Sequence, residues 1–288
     1  MARLVDHAPA KVNLTLAVLG RRADGYHLLD SLVVFAREGD RLTLDPGGPL
    51  SLRIRGVTAK QAGPLDDNLV LKAARALAAE IPGLKLGRFT LEKRLPIAAG
   101  LGGGSSDAAG ALRLIARVNR IKRSDPRLRR VAATIGADVP VCLDPRPRRM
   151  RGIGEVLSAP LKMPPLSAVL VNPGVAVPTR DVFARLGFKP GKRSRAGRAR
   201  PLPSERGRLM DALAAQRNDL EPPAIAIQPV ISRVLEALRE QPGCRLARMS
   251  GSGATCFGLF GSSRQAAAAA RKLGKAQPRW WVRATILS

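Results

Sequence analysis

The stretch that decides the fold runs from residue 95 to residue 109 and reads Leu95-Pro-Ile-Ala-Ala-Gly-Leu-Gly-Gly-Gly-Ser-Ser-Asp-Ala-Ala109. Residues 89–94 before it alternate apolar and polar side chains, which predicts a half-buried strand. Apolar residues after it recur at helical spacing, and Ser105, Ser106 and Asp107 are types favoured in a helical first turn. Glycines between the two elements let the backbone approach a ligand, and the free amides at the helix start favour a phosphate. Glycine-rich turns also occur without a ligand, so that interpretation stays open for this stretch alone.

Two common phosphate motifs do not fit this stretch. No Gly-Lys-Ser/Thr closes the loop, which argues against the P-loop of nucleotide hydrolases. No acidic residue ends a following strand about twenty residues later, so a dinucleotide-binding fold is also unsupported. A phosphate-binding role for this stretch therefore needs a loop of a different class.

Composition limits the class of protein. A chain of 288 residues suits one large or two moderate domains, and its hydrophobic fraction of 45% is ordinary for a globular protein. No run approaches eighteen apolar residues, and residues 1–7 lack the apolar core of a secretory signal, so we expect neither a membrane span nor secretion. Cys142, Cys244 and Cys256 have no CxxC spacing, which predicts buried thiols in a reducing cytoplasm, with no zinc site or disulfide framework.

The net charge of +27 raises the hypothesis of a nucleic-acid-binding protein, because Lys and Arg neutralise phosphates. Much of the excess is local, since residues 185–208 carry nine Lys and Arg against the single acid Glu205. Such a run predicts a solvated loop. Aromatic residues make up only 3% of the chain, so no base-stacking platform is visible. A basic surface can also steer small anions into a cleft.

The order of elements predicts an α+β fold in two halves. Adjacent strands come early, the first from Val12 to Leu19, and a helix over residues 68–81 follows. Lys11 and Asn13 are two residues apart, so in extended chain they point to the same face. Asp138 is expected at the head of a short apolar strand, as a turn residue or as a base at the edge of a cleft. The Pro- and Arg-rich residues 144–151 mark a plausible domain junction.

Five short motifs then occur in one order along the chain. They are Pro-Ala-Lys11-Val-Asn13-Leu, Arg-Ala-Asp24-Gly-Tyr26-His27, residues 95–109, Gly136-Ala-Asp138-Val-Pro140 and Met249-Ser-Gly-Ser-Gly-Ala-Thr255. Together the motifs resemble the small-molecule kinases named after galactokinase, homoserine kinase, mevalonate kinase and phosphomevalonate kinase. Within that superfamily, the Tyr-His and Ala-Asp-Val-Pro motifs are similar to the branch that phosphorylates the 2-hydroxyl of a 4-diphosphocytidyl-linked methylerythritol.

The resemblance implies a two-domain kinase fold with the active site in the cleft between the domains. Residues 1–150 would form the ATP-binding and catalytic domain, and residues 151–288 a domain that contributes to substrate binding. Lys11 and Asp138 match the family's catalytic pair. The residues that match the ATP phosphate loop are Pro96, Ala98, Gly100, Leu101, Gly102, Gly103, Gly104, Ser105 and Ser106. Those that match substrate-binding positions are Asn13, Tyr26, His27, Phe183, Gly251, Ser252 and Gly253.

The resemblance also implies ATP and Mg²⁺ as cofactors, although no spacing fixes a metal ligand. It implies a small-molecule substrate with a cytidine diphosphate moiety and gives no reason to expect nucleic acid or membrane as a partner. Residues 144–151 depart from the Gly-rich turn of many members, so substrate contacts there are not carried over. Two alternatives remain at this point: another kinase of the same superfamily, which would not need Tyr26 and His27 beside a cytosine, and a basic nucleic-acid-binding protein.

Overall fold

The chain forms two compact units in a computed structural model that describes residues 2–61, 63–192, 203 and 205–288. The sequence predicts one boundary at residue 150, whereas each unit of the structure is built from several separate segments. Residues 12–37 belong with the later part because the first two strands are long enough to serve both units, and residues 98–101 belong there because they are hydrogen-bonded to residues 250–255. The first unit comprises Met1–Lys11, Glu38–Ile97 and Gly102–Pro145, and the second comprises Val12–Arg37, Ala98–Leu101 and Arg146–Ser288.

Two long strands run through both units, and the rest of the first unit follows them in the chain. The strands are β1 (Leu4–Arg21) and β2 (His27–Pro46), and the elements that follow are β3 (Ser51–Gly56), α1 (Leu69–Glu80), β4 (Gly87–Lys93), α2 (Gly103–Val118), α3 (Pro126–Ile135) and α4 (Val139–Cys142). In this unit β2 pairs antiparallel with β4, and β4 pairs parallel with β3. Helix α1 packs against α2 and α3.

The core of the first unit follows the period of two along its strands. Leu42 and Leu44 on β2 lie opposite Leu91 and Phe89 on β4, and all four side chains are buried. Helix α1 begins where the side chain of Asn68 accepts a hydrogen bond from the amide of Val70. The predicted helix over residues 68–81 is therefore confirmed, with Asn68 as its N-cap.

The second unit contains an antiparallel sheet with helices against it. Its elements are β5 (Arg148–Gly152), β6 (Val156–Leu157), β7 (Leu166–Asn172), α5 (Thr179–Ala184), α6 (Arg206–Ala214), α7 (Glu221–Ile227), α8 (Val230–Arg239), β8 (Cys244–Met249), β9 (Cys256–Phe260), α9 (Ser263–Ala276) and β10 (Trp281–Leu287). The strand order is β10-β7-β9-β8, while β5 pairs with β2 and β6. Buried side chains of β7, α8 and β9 form one hydrophobic core.

Three local expectations differ from the structure. The sequence pattern predicts two strands here, over residues 28–36 and 40–44, and in the structure both belong to the single strand β2. The short strand expected after Asp138 is the helix α4, which Pro140 allows because proline is tolerated in a first helical turn. Helix α7 has no counterpart in the sequence expectations, and residues 193–202 and 204 of the basic run lie outside the described residues.

The three cysteines are free thiols in the structure. Cys142 and Cys256 are buried, and Cys244 is half-buried. Burial raises the pKa of the Cys142 thiol to about 12, which keeps it protonated and unreactive. Within the part of the chain that the structure describes, no helix combines the length and the apolar character needed to cross a bilayer.

Candidate functional site

A charged pair in the first unit joins strand β1 to the start of helix α4. The ammonium Nζ of Lys11 donates a hydrogen bond to Oδ1 of Asp138 over 2.8 Å. The Lys11 side chain is 6% exposed, whereas 36% of the Asp138 side chain remains accessible. The second carboxylate oxygen of Asp138 makes no hydrogen bond to another described residue, so it is open to a ligand hydroxyl. The structure therefore brings together the two residues that sequence analysis assigned to catalysis.

The same lysine lies against the start of helix α2. Gly102 precedes that helix in the left-handed conformation, with φ of 60° and ψ of 24°. A Cβ atom at Gly102 would lie 3.2 Å from both Cβ and Cε of Lys11. Glycine is thus required here by conformation and by the close approach of the lysine stem.

The first turn of α2 presents backbone amides without intrahelical partners. The amide of Ser106 donates to the carbonyl of Gly102 over 2.8 Å, which leaves the amides of Gly103, Gly104 and Ser105 as the free donors of the helix start. Gly104 is exposed, and the hydroxyl of Ser106 is buried without a hydrogen-bond partner among the described residues. Free amides and the positive end of the helix dipole beside the Lys11 ammonium favour an anion.

A second buried charge cluster lies under this helix start and was not predicted from the sequence. Lys93 at the end of β4 donates to Asp40 on β2 and, over 2.8 Å, to Oδ2 of Asp107 on α2. The three side chains are between 0% and 4% exposed. Desolvation raises the pKa of Asp107 to about 7, although the positive charge of Lys93 acts in the opposite direction. Burial by itself would lower the pKa of Lys93, but the charges of Asp107 and Asp40 outweigh it and raise that pKa above its usual value.

The two glycine-rich stretches are hydrogen-bonded to each other in the second unit. The hydroxyl of Ser250 donates to the carbonyl of Gly100 over 3.0 Å, and the amide of Thr255 donates to the carbonyl of Ala99 over 3.1 Å. Gly100 has φ of +71°, and a Cβ atom there would lie 2.4 Å from the carbonyl oxygen of Ser250. These contacts fix residues 98–101 against residues 250–253.

Asn13 on β1 belongs to the same part of the second unit. Its amide donates to Oγ of Ser250 over 3.0 Å, and its side-chain nitrogen donates to Oγ of Ser31 over 2.7 Å. Its side-chain oxygen Oδ1 is buried without a hydrogen-bond partner among the described residues. A Cβ atom at Gly251 would lie 3.4 Å from that oxygen, so Asn13 faces the second glycine-rich stretch.

An aromatic group completes the second unit's candidate site. The ring of His27 stacks on Phe183, with centroids 4.8 Å apart and planes inclined by 29°, and Phe188 meets His27 edge-on at 6.3 Å. Desolvation, with a smaller contribution from Arg21, lowers the pKa of His27, so the ring is neutral at pH 7. The neighbouring Tyr26 is 60% exposed.

The second glycine-rich stretch is also tied to the helix that carries Phe183. The hydroxyls of Ser252 and Thr179 lie 2.8 Å apart, and Thr179 is the first residue of α5. Gly251 and Gly253 both have positive φ, which allows the tight path of this stretch. Contacts within the second unit thus connect five of its parts, which are residues 98–101, residues 250–253, Asn13, His27 and helix α5.

The other residues that match the phosphate loop, Pro96, Ala98 and Leu101, bring no polar side chain to the site. Pro96 is half-buried, Leu101 is 1% exposed, and Ala98 is an exposed residue with φ of +50°. These three shape the backbone and offer little side-chain chemistry.

Sequence reasoning missed Ser250, Thr179 and the Asp40–Lys93–Asp107 cluster. Asp40 and Lys93 stand at positions where the period of two predicts buried apolar residues, and that departure was a usable signal.

Comparison with known families identifies the two parts of the chain. Residues 68–144 match the model described as the GHMP kinases N terminal domain, and residues 200–279 match the model described as GHMP kinases C terminal. The GHMP kinases are the superfamily that the glycine-rich loop resembles.

Curated relatives match over the full length of the chain. A 4-diphosphocytidyl-2-C-methyl-D-erythritol kinase of Methylobacterium radiotolerans is 59% identical over 100% of both chains. A kinase of the same name from Xanthobacter autotrophicus is 58% identical over 97% of both.

Solved structures agree with these matches. A crystal structure of 4-(cytidine 5'-diphospho)-2C-methyl-D-erythritol kinase superposes with a TM-score of 0.78 at 35% identity and covers 99% of each chain. A homoserine kinase from Cytophaga hutchinsonii superposes with a TM-score of 0.70 at 17% identity, over 99% of this chain and 95% of that one, which is a likeness of fold alone. The α+β kinase fold predicted from the sequence is confirmed.

Proposed function

The chain belongs to the 4-diphosphocytidyl-2-C-methyl-D-erythritol kinases of the GHMP superfamily, and from that membership we propose how its residues bind the reactants and transfer the phosphoryl group. It is an ATP-dependent kinase, and its acceptor is the 2-hydroxyl of the methylerythritol unit of that cytidine-linked substrate. The reaction belongs to the non-mevalonate route to isoprenoid precursors. The residue roles below are our proposal.

The observation that carries these roles is the position of the Lys11–Asp138 pair. The pair lies in one unit with the start of α2, and the stem of Lys11 touches the position of Gly102. Phosphoryl transfer needs an acceptor that is held and deprotonated, and a phosphate whose charge is compensated. A carboxylate with one free oxygen beside free helix amides supplies both requirements.

In the proposed reaction the oxygen of the substrate 2-hydroxyl attacks the γ-phosphorus of ATP, and Asp138 accepts the proton of that hydroxyl. The proton passes to the open oxygen of Asp138, provided that the hydroxyl lies within about 2.6–3.2 Å of it. Lys11 holds the other oxygen, so it fixes the direction of the carboxylate and compensates the charge that develops on the acceptor oxygen. The bond from the γ-phosphorus to the β,γ-bridging oxygen breaks, and ADP leaves.

We propose that the phosphates of ATP bind along the loop that ends at the first turn of α2. The donors are the free amides of Gly103, Gly104 and Ser105, with the helix dipole behind them. ATP would enter as its magnesium complex, because Mg²⁺ takes phosphate and water oxygens as most of its ligands. Among the described residues no three His, Cys, Asp or Glu are gathered as a metal site, which suits a cation that arrives on the nucleotide.

The second unit is proposed to hold the cytidine-linked part of the substrate. His27 and Phe183 already stack at 4.8 Å, which leaves no space for a base between them. The base would therefore stack on an outer face of this pair and on the exposed ring of Tyr26, with the neutral imidazole edge as a hydrogen-bond partner. Asn13, Gly251, Ser252 and Gly253 would hold the methylerythritol end and the diphosphate.

The roles of the two units follow from these assignments. The first unit would bind ATP and carry the catalytic pair, and the second would bind the substrate. We also propose a reducing, cytoplasmic setting, which the three unpaired thiols support.

The test is a coupled assay of ADP release with purified protein. The cytidine-linked methylerythritol substrate is compared with free methylerythritol phosphate at saturating ATP and Mg²⁺. We expect turnover with the first substrate and a kcat/KM at least about 100-fold lower with the second, because the base contacts are lost. Equal use of both substrates would exclude the proposed roles of Tyr26, His27 and Phe183.

A further inference from the structure

Leu95, two residues after the end of β4, is fixed through its amide, its carbonyl and its side chain. Leu95 donates its amide to Oδ1 of Asp40 over 2.9 Å, and the amide of Arg94 donates to the same oxygen over 2.6 Å. The carbonyl of Leu95 accepts a hydrogen bond from Oγ1 of Thr58 over 2.9 Å. The Leu95 side chain is fully buried. Backbone and side chain of this one residue are therefore fixed before any ligand binds.

The other oxygen of Asp40 points to the far end of the phosphate loop. It accepts a hydrogen bond from Lys93, whose ammonium also donates to Asp107 on α2. A Cβ atom at Gly103, the first residue of α2, would lie 3.6 Å from Nζ of Lys93 and 3.7 Å from Oδ2 of Asp40. One buried carboxylate thus connects the start of the loop at Leu95 with the helix turn at its end.

Burying such a cluster is costly unless every group is paired. Asp40 is 0% exposed and receives three donors, two from the backbone and one from Lys93. Replacement of buried ion pairs by apolar residues often leaves stability unchanged or improves it, so stability alone does not account for the cluster. A loop ordered in advance, by contrast, strengthens ligand binding, because no conformational entropy is lost when the ligand arrives.

We propose that Asp40, with Thr58, is a positioning residue that orders the phosphate loop in the ATP-free protein. It acts through the backbone of Arg94 and Leu95 at one end and through Lys93, next to Gly103, at the other. Asp40 itself touches no reactant. This proposal rests on the proposed function, because it assigns the loop to ATP.

The decisive variant is Asp40→Asn, which keeps the size of the side chain. Asp40 uses both oxygens as acceptors, whereas asparagine has one acceptor oxygen and one NH2 donor. In either orientation the amide nitrogen would face a donor, either the Lys93 ammonium or the backbone amides of Arg94 and Leu95. We expect the Kd and the KM for ATP to rise about 10- to 100-fold, because two or three loop residues must then be ordered on binding. The kcat at saturating ATP and the KM for the second substrate should stay within about threefold.

Two matched variants make the same chemical change elsewhere. Asp107→Asn keeps an acceptor oxygen for Lys93 and places its NH2 where Oδ1 of Asp107 has no partner among the described residues. Asp6→Asn weakens another buried pair on α2, in which Arg113 donates to Asp6 over 2.8 Å, away from the loop. Both variants should bind ATP within about threefold of the unmodified chain, whatever they do to Tm.

A second readout needs no reactant at all. Amide hydrogen exchange of residues 94–106 is measured in the ATP-free protein, with α3 as the internal reference. Asp40→Asn should exchange at least tenfold faster in this segment, and Asp107→Asn and Asp6→Asn should not. Should Asp40→Asn not fold, Thr58→Val takes its place, because it removes the other side-chain bond to Leu95 and leaves the charges intact. For it we expect exchange and ATP Kd to rise at least threefold.

The outcomes separate the possibilities. A lower Tm for Asp40→Asn with unchanged exchange and unchanged ATP affinity means that the cluster is only structural, and it overturns the proposal. Unchanged exchange in Thr58→Val does the same. Faster exchange in residues 94–106 without loss of ATP affinity would mean that the loop is ordered by Asp40 but does not bind ATP, which refutes the proposed function and not the ordering.

Discussion

The replacement of Asp138 by asparagine tests the proposed base directly. Asparagine keeps an oxygen that can accept the 2.8 Å hydrogen bond from Lys11, so the side chain should stay in place. It cannot accept a proton from the substrate hydroxyl. Loss of a general base costs about 10²- to 10⁴-fold in rate, which corresponds to about 3 to 5 kcal/mol of transition-state stabilisation. We expect kcat to fall by that factor.

Binding and stability should change little in Asp138→Asn. More than a third of the Asp138 side chain is exposed, so its pairing with Lys11 is screened by solvent and contributes about 1 kcal/mol or less to the free energy of unfolding. The Kd for ATP, measured by isothermal titration calorimetry, should stay within about threefold, because the amides of the helix start are untouched.

The assay is coupled ADP release at saturating ATP with the cytidine-linked substrate. Asp66→Asn serves as the control, because Asp66 is an exposed carboxylate of the same unit whose ion pair among the described residues is with Arg75. It should retain the kcat of the unmodified chain. A kcat within threefold of the unmodified chain in Asp138→Asn would refute the assignment of the base. Loss of ATP binding together with activity would instead place the damage in the phosphate site.

Three further predictions concern other parts of the site. Phe183→Ala should raise the KM for the cytidine-linked substrate about 10- to 100-fold in steady-state assays, because one aromatic stacking surface for a base is lost, and an unchanged KM would exclude that contact. Gly100→Ala should lower the free energy of unfolding more than Gly47→Ala in urea titrations. Both glycines have positive φ, but only at Gly100 would a Cβ atom lie 2.4 Å from the carbonyl oxygen of Ser250. Equal losses in the two variants would show that the backbone strain of positive φ accounts for the whole effect. As the pH rises from 3.8 to about 7, the free energy of unfolding of Asp107→Asn should increase relative to that of the unmodified chain. Because the pKa of Asp107 is raised on folding, the folded chain holds a proton that the unfolded chain has released, and the free energy of unfolding of the unmodified chain falls by up to about 1.4 kcal/mol per pH unit until the folded pKa is passed. Asparagine does not titrate, so the variant lacks this fall. A difference in free energy of unfolding that stays constant with pH would refute a raised pKa.

Local signals in the sequence predicted much of the fold. The apolar run before Pro173 predicts a strand over Leu166–Asn172, which agrees with β7 at both ends. The pair Asp125-Pro126 predicts the start of a helix that runs to about Ile135, and α3 runs from Pro126 to Ile135. The side chain of Asp125 caps that helix by accepting from the amide of Arg127. These features depend on neighbours within a few residues, which is why a period and a cap residue suffice to locate them.

The strand expected after Asp138 shows where local signals were insufficient. Val139–Cys142 is apolar and short, and periodicity cannot distinguish a buried strand from a buried helical turn in four residues. The surrounding first unit decided between them, since Arg113 of α2 donates to the carbonyl of Cys142 at the helix end. Tertiary contacts thus overrode the β propensity of the valines.

The sequence by itself determined the glycine-rich loop, the presence of a helix directly after it and the family of the chain, because motif spacing and helix-start chemistry are local properties. Only the tertiary structure decided which polar side chains lose water and pair. Lys11 meets Asp138 across 127 residues, Lys93 meets Asp40 across 53, and Ser250 meets Gly100 across 150. Whether a charge is buried with a partner or exposed depends on such distant contacts, and no residue's immediate neighbours encode them.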